Sequence, residues 1–443
     1  MEEAGTDFEN KDLLDGKSGD EILHNHLSDI FKFSSLKIDE LDGLKCFENG
    51  LSLLRGFGKN QISLNNAMFF FQKAINSGYA PGAVIMASIY LSGCVHVTKD
   101  SSKAEEFGKI GVNLGIRNLA LSGDIHAQHA FGFMRLNGLG GIIKDSIEAI
   151  KWYSRAADKG NAEAQFNLGV LFENEGEFTK AFKYYEMAAK QSHADSQNNL
   201  GICYFNGDGV ETNFEMATKW NRLAAGQGHP LAQCFLGYFY KSNKENQNLE
   251  ESVKWYSLAS DQGVPLAMYN LGVAYYNGQA VKRNWIIAAK FYRASAELGY
   301  ILAQYQLGIC YENGDGVERS SENAIKWMKK AAEKGYVDAQ YQLGVLYESI
   351  KDLKAAVTWY EIAANQNHAD AQCNLGVMYY NGEGVDEDFV LAAQWYRKAA
   401  DQGCGIAQYN LGVCYHNGQG VCQSVDQAKE WYYKAAKQGY RIG

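Results

Sequence analysis

Apolar and small residues fall on one face of short segments, and these segments come in pairs along most of the chain. In 301–313, ILAQYQLGICYEN, Leu307 and Tyr311 lie four apart with Ala303 and Gly308 beside them, which is one face of an α-helix. Asn313-Gly314 follows, and a Gly just past a helix end supplies a left-handed C-cap. Gly316 and Val317 complete a short loop. The next segment, SENAIKWMKKAAEKG, places Ala324, Trp327, Met328 and Ala331 at helical spacing. It closes on Lys330, Lys334 and Gly335, residues suited to a helix C-terminus, and Ser320 or Ser321 suits its N-cap. The pattern predicts a helix–turn–helix unit.

The unit repeats. The phrase Ala-Gln-Tyr-x-Leu-Gly stands at 303–308, 339–344 and 407–412, with looser copies elsewhere, and its Ala-type anchor falls at 127, 164, 196, 232, 267, 303, 339, 371 and 407. The spacings are 37, 32, 36, 35, 36, 36, 32 and 36. The two copies of period 32 lack the Gly-x-Gly-Val loop and keep both helix patterns, as a two-helix unit tolerates. Pro81, Pro230 and Pro265 fall at first turns of leading helices, where the missing N–H costs nothing. The reading divides the chain into a disordered acidic lead (1–19), an N-terminal capping helix (20–40), two degenerate repeats (41–126) and nine clear repeats (127–443), about eleven units in one array. Gly169, Gly201, Gly272, Gly308, Gly344, Gly376 and Gly412 recur in mid-helix, where Gly costs about 1 kcal/mol against Ala. Their recurrence predicts that a large side chain of the second helix, Trp or Tyr, sits over each.

Composition narrows the class. The 443 residues include 46 Gly but only 3 Pro, with 13% aromatic residues; this excludes global disorder and argues against a turn-dense all-β chain. No run of about 18 apolar residues exists to span a membrane. MEEAGTDFEN lacks the basic start and apolar run of a secretory signal, and the nine Cys form no C-x-x-C pair, so a reducing, cytoplasmic location is expected. The net charge of −9 is local: residues 1–42 hold twelve Asp/Glu and four Lys, a net of −8, and the rest carries about −1. So neutral a body is not a nucleic-acid binder.

No P-loop, H-E-x-x-H or G-x-S-x-G motif occurs. Gly382-Glu383-Gly384 resembles a phosphate loop but follows a helix and lacks the third Gly. His24 and His26, two apart in a helical pattern, diverge. Cys203, Cys310 and Cys414 share one repeat position, Cys234 and Cys373 another; roughly 10 Å separates neighbouring equivalents, too far for disulfides. They read as small buried hydrophobes. No enzyme activity, metal or cofactor is expected.

The pattern A-x-A-x-x-L-G-x-x-Y-x-x-G-x-G-V followed by K-A-x-x-W-Y-x-K-A-A-x-x-G, almost complete from Ala369 to Gly403, resembles the Sel1-like repeat, a relative of the tetratricopeptide repeat. The resemblance covers 127–443 strongly and 41–126 weakly. It implies an all-α protein, an α/α right-handed solenoid, acting as a non-catalytic adaptor or scaffold for protein partners. Two other roles found in the family are a subunit of an endoplasmic-reticulum quality-control complex and a secreted cell-wall-related or penicillin-binding enzyme. The absent signal, membrane segment, regular cysteine pairing and nucleophile motif count against them.

By analogy with tetratricopeptide geometry, the leading helices line a concave groove. Its candidate binding residues are Tyr269, Tyr276, Tyr305, Glu312, Tyr341, Glu348, Tyr380, Tyr409 and His416. Tyrosine offers a large amphipathic contact area at low entropy cost, although packing between adjacent repeats would also account for it. From 161 onward the leading helices carry several Asp and Glu, with Lys241 their only Lys or Arg, so neutral or basic segments are the expected partners. The final GYRIG reads as the start of a missing leading helix, which predicts an exposed apolar end and self-association there.

Overall fold

A computed structural model describes residues 42–55, 61–93, 97–242 and 247–439. The lead (1–19), the capping helix (20–40) and the last residues, 440–443, lie outside them. The described residues form 23 helices. The leading helices are α1 (Gly43–Arg55), α3 (Ala80–Ser92), α6 (Ile125–Asn137), α8 (Ala162–Asn174), α10 (Ala194–Asn206), α12 (Pro230–Ser242), α14 (Pro265–Asn277), α16 (Ile301–Asn313), α18 (Val337–Ser349), α20 (Ala369–Asn381) and α22 (Gly405–Asn417). Each is followed by a partner: α2 (Gln61–Asn76), α4 (Ser101–Asn113), α7 (Ser146–Asp158), α9 (Phe178–Ala189), α11 (Phe214–Gly226), α13 (Leu249–Asp261), α15 (Trp285–Glu297), α17 (Ser321–Glu333), α19 (Leu353–Asn365), α21 (Phe389–Asp401) and α23 (Val425–Ala436). The short α5 (Ile116–Leu121) is additional. The chain divides into two compact units, one ending at Gln233 and one beginning at Cys234.

The expected end signals act as read. Ser320 caps α17 by accepting from the Asn323 N–H at 3.2 Å, and Gly314 closes α16 in the left-handed region at φ 84°. Pro265 opens α14 in its first turn. Inside each unit the anchor Ala and the Leu four residues on are removed from solvent, as Ala303, Leu307, Ala339 and Leu343 show at 0% exposure.

The mid-helix glycines do face large side chains. A Cβ on Gly272 would lie 2.6 Å from the Tyr292 ring and one on Gly376 2.7 Å from that of Tyr396; Tyr153, Tyr185, Tyr256, Tyr360 and Tyr432 stand likewise over their own units' glycines. Phe71, Met328 and Asn221 take the place over Gly50, Gly308 and Gly201. From α7 onward the eighth residue of the following helix does this, never the Trp beside it. Trp327 instead packs with Ala303, Leu307 and Tyr292.

The α3–α4 unit, degenerate by sequence, folds as a hairpin with the sizes reversed. Ala87 replaces the leading-helix glycine, and Gly108 stands where most of the others have tyrosine. The space left at Gly108 admits the backbone of the next loop, 2.7 Å from where its Cβ would be, at Gly140.

A second repeated device was present in the Ala-Gln phrase without an assigned role. The Gln is buried and its amide donates to a carbonyl at the end of the preceding helix: Gln340 to Ala332 at 3.1 Å, Gln372 to Ala364 at 3.0 Å and Gln408 to Ala400 at 3.1 Å. Its own carbonyl accepts from a Gln just past the end of the following helix: Gln366 donates to Gln340 at 2.5 Å, Gln402 to Gln372 at 2.8 Å and Gln438 to Gln408 at 3.0 Å. In the unit of α16 and α17 that last residue is Lys334, which donates to the Gly299 carbonyl at 2.6 Å, and the Gln304 carbonyl is left without a partner. Lys334→Gln should therefore stabilise the protein by about 1 kcal/mol, and Gln366→Lys should destabilise it by a similar amount, because a buried acceptor gains or loses its donor. Urea unfolding of the two variants checks both signs.

Candidate binding face of the leading helices

All nine expected groove residues lie in the unit that begins at Cys234. Helical spacing puts the second, fifth, sixth, ninth and twelfth residues of each leading helix on one face. The fifth place holds Cys234, Tyr269, Tyr305, Tyr341, Cys373 and Tyr409. Each tyrosine is half-buried, and its ring meets other aromatic rings. Tyr269 meets Tyr300 at 5.3 Å between centroids, Tyr305 meets Tyr336 edge-on at 5.1 Å, and Tyr341 stacks on His368 at 4.6 Å. In these three the partner is the residue just before the next leading helix. Tyr409 lies 5.5 Å from Tyr432 of its own unit. Burial pushes the phenols of Tyr269, Tyr305 and Tyr341 above their usual range, so they remain protonated donors near neutral pH.

The twelfth place holds Tyr276, Glu312, Glu348, Tyr380 and His416. Tyr276 and Tyr380 reach the loop of the next unit, the first donating to Asp315 at 2.8 Å and the second to Gln419 at 2.7 Å. The bond to Asp315, with burial, pushes the Tyr276 phenol up to about 12. Glu348 accepts from the Tyr360 hydroxyl at 2.8 Å. Glu312 is half-buried; burial raises its carboxyl, opposed by Gln342 and Arg319. His416 is exposed. Thus much of the tyrosine row is built into contacts within and between repeats. Removing Tyr305, Tyr341 and Tyr409 together would disturb packing as well as the surface, so these are poor residues for a binding test.

The second place was not singled out by sequence and is the more open one. Leu266 is 41% exposed and Ile406 48%, joined at the ninth place by Tyr238 at 47%. Asp338 and Asp370, also in the second place, are exposed. Asp338 lies 3.7 Å from His368. That histidine caps α20 by accepting from the Ala371 N–H at 3.2 Å, which leaves its other nitrogen to face the carboxylate. The signal for these acids was their fixed place three residues before the fifth place, at Tyr341 and Cys373. The single lysine of this face, Lys241, donates to Asn270 at 3.0 Å. The face is thus apolar and aromatic, with acidic groups and one occupied cation.

Among the described residues no group of three or more His, Cys, Asp or Glu could hold a metal ion, and no helix is long and apolar enough to cross a membrane.

The Sel1 repeat model matches residues 44–79, 125–161, 162–193, 194–229, 230–264, 265–300, 301–336, 337–368, 369–404 and 405–440. The hairpin left unmatched is the size-reversed one between 80 and 124. Among solved structures, a protective antigen present in uropathogenic Escherichia coli strains, displaying an SLR fold, is 31% identical, with 95% of this chain and 87% of that chain covered and a TM-score of 0.63. A Sel1 repeat protein from Oxalobacter formigenes is 32% identical over 66% of this chain and 88% of that one, with a TM-score of 0.52. The chitin synthase regulator of Saccharomyces cerevisiae is 29% identical over 161 residues, 36% of this chain and 17% of that protein.

Proposed function

As the chain belongs to the Sel1 repeat family, we propose that it is a non-catalytic scaffold holding partner proteins by short segments laid along the leading helices. The observation that carries this reading is the composition of one face in the unit beginning at Cys234. It combines exposed Leu266, Ile406 and Tyr238 with exposed carboxylates at Asp338 and Asp370 and a lone lysine already bonded to Asn270. Apolar anchors beside acidic groups suit a segment with apolar side chains and Lys or Arg, and disfavour an acidic one, because like charges across a contact are costly. The similarity to a protein named as a regulator of chitin synthase agrees with a role exerted through a partner.

A random peptide library displayed against the full chain tests the reading. Enrichment of sequences bearing Lys or Arg among apolar residues is expected. Enrichment of acidic sequences, or none, contradicts it.

A further inference from the structure

The fifth-place row has one member that pairs differently. Where Tyr269 meets Tyr300, Tyr305 meets Tyr336 and Tyr341 meets His368, the next unit holds Cys373 and Cys404. Both are free thiols, and both belong to one packed cluster. The register that brings two rings together elsewhere here brings two sulfurs together, from the middle of α20 and from the residue preceding α22. Cysteines at equivalent places one repeat apart are too distant to pair. Cys373 and Cys404 are at different places, and the unit between them closes the gap. Cys234, also at the fifth place, shares its cluster with Val264 instead of a second thiol.

We propose that Cys373 and Cys404 form a reversible, peroxide-responsive thiol–disulfide pair. Their environments divide the roles. Cys373 is only 3% exposed, whereas Cys404 is partly open to solvent. The neighbouring Cys373 thiol, with the N-terminus of α22, pulls the Cys404 thiol below its ordinary range, against burial and the charge of Asp370. A partly exposed thiolate beside a buried second thiol is the arrangement of a redox-sensing pair.

The chemistry balances with a hydroperoxide as oxidant. The Cys404 thiolate attacks one peroxide oxygen, the O–O bond breaks, and the leaving oxygen departs as water after taking a proton. Cys404 is then a sulfenic acid. The Cys373 sulfur attacks the Cys404 sulfur, the S–O bond breaks, and the proton from Cys373 leaves with the second water. Two thiols are oxidised and one hydrogen peroxide is reduced to two waters; a dithiol reductant reverses the bond by exchange. The bond would join α20 to the start of α22 within the tyrosine row. It stands whether or not that face binds a peptide.

The test treats the full chain with limiting hydrogen peroxide, alkylates the remaining thiols after unfolding, and digests it without reduction for mass spectrometry. A linked Cys373–Cys404 peptide is expected to appear first, to vanish on dithiothreitol treatment, and to leave Cys234 and the exposed Cys422 alkylated. In Cys373→Ser the linked peptide is lost, and dimedone should instead label Cys404. If wild-type Cys373 and Cys404 both remain alkylated while Cys422 is oxidised, the proposal is overturned, whatever the variant's stability.

Discussion

Gly316→Ala should destabilise the protein by roughly 3 kcal/mol or more. Two costs add at this position. Gly316 has φ 71°, a left-handed backbone that costs a residue with a Cβ about 1 kcal/mol or more. The new Cβ would also collide with the Trp285 carbonyl oxygen and carbon and with the Ile286 nitrogen, where α15 of the preceding unit begins. Those atoms are backbone and cannot rotate aside, so the two units must separate locally or the loop must be rebuilt. Gly384 against Leu353 and Gly420 against Phe389 repeat the contact, which accounts for the second glycine of these loops, whereas the loop after α14 holds Ala280 at the equivalent place with φ 56°. Each such glycine is a seat for the previous repeat. Because repeat arrays can unfold piecewise, the measurement is native-state hydrogen exchange. Protection should fall first in α15 and α16, and an unchanged pattern would mean that the loop does not seat on its neighbour.

Gly344→Ala is the second large effect, and its sign is informative. An isolated helix would gain about 1 kcal/mol from the substitution. Here the added methyl would occupy space held by the Tyr360 ring, which is fully buried and bonded through its hydroxyl to Glu348. Overpacking a core costs typically 1–3 kcal/mol, which outweighs that gain, so a net loss of about 1 kcal/mol is expected. With Tyr360→Ala already made, the ring is gone and Gly344→Ala should turn stabilising. A double-mutant cycle read by urea unfolding would show coupling if the ring over glycine is the interaction. Equal effects in both backgrounds would remove it.

The fold was legible because its signals are periodic. Anchor Ala, buried Leu, left-handed Gly and first-turn Pro each carry a local reason for their place, and the structure keeps those reasons. The contacts were less legible. Trp and Tyr stand side by side in the following helices, as in Trp395-Tyr396, and adjacent residues on a helix point about 100° apart. Which of them covers the glycine depends on where the leading helix lies, not on residue type. The buried Gln was visible as a recurring letter, but its donor stands 26 to 30 residues away at Gln366 and Gln402. The tyrosine row was open to two readings, a groove surface or packing between repeats, and three of its rings meet the residue before the next helix. That place varies through Val264, Tyr300, Tyr336, His368 and Cys404, so no repeated letter announced it. The same variability hid the meeting of Cys373 with Cys404.

The claim that the leading-helix face selects a segment by charge is tested most directly by a charge swap. A peptide taken from the library selection and bearing Lys is titrated against the full chain and against Asp338→Lys/Asp370→Lys, with fluorescence anisotropy at low salt. Both carboxylates are exposed, so the fold should be spared. The account predicts roughly tenfold weaker binding by the variant, an effect that salt reduces, and recovery when the peptide's Lys is changed to Glu. Equal binding of both peptides by both proteins would contradict it.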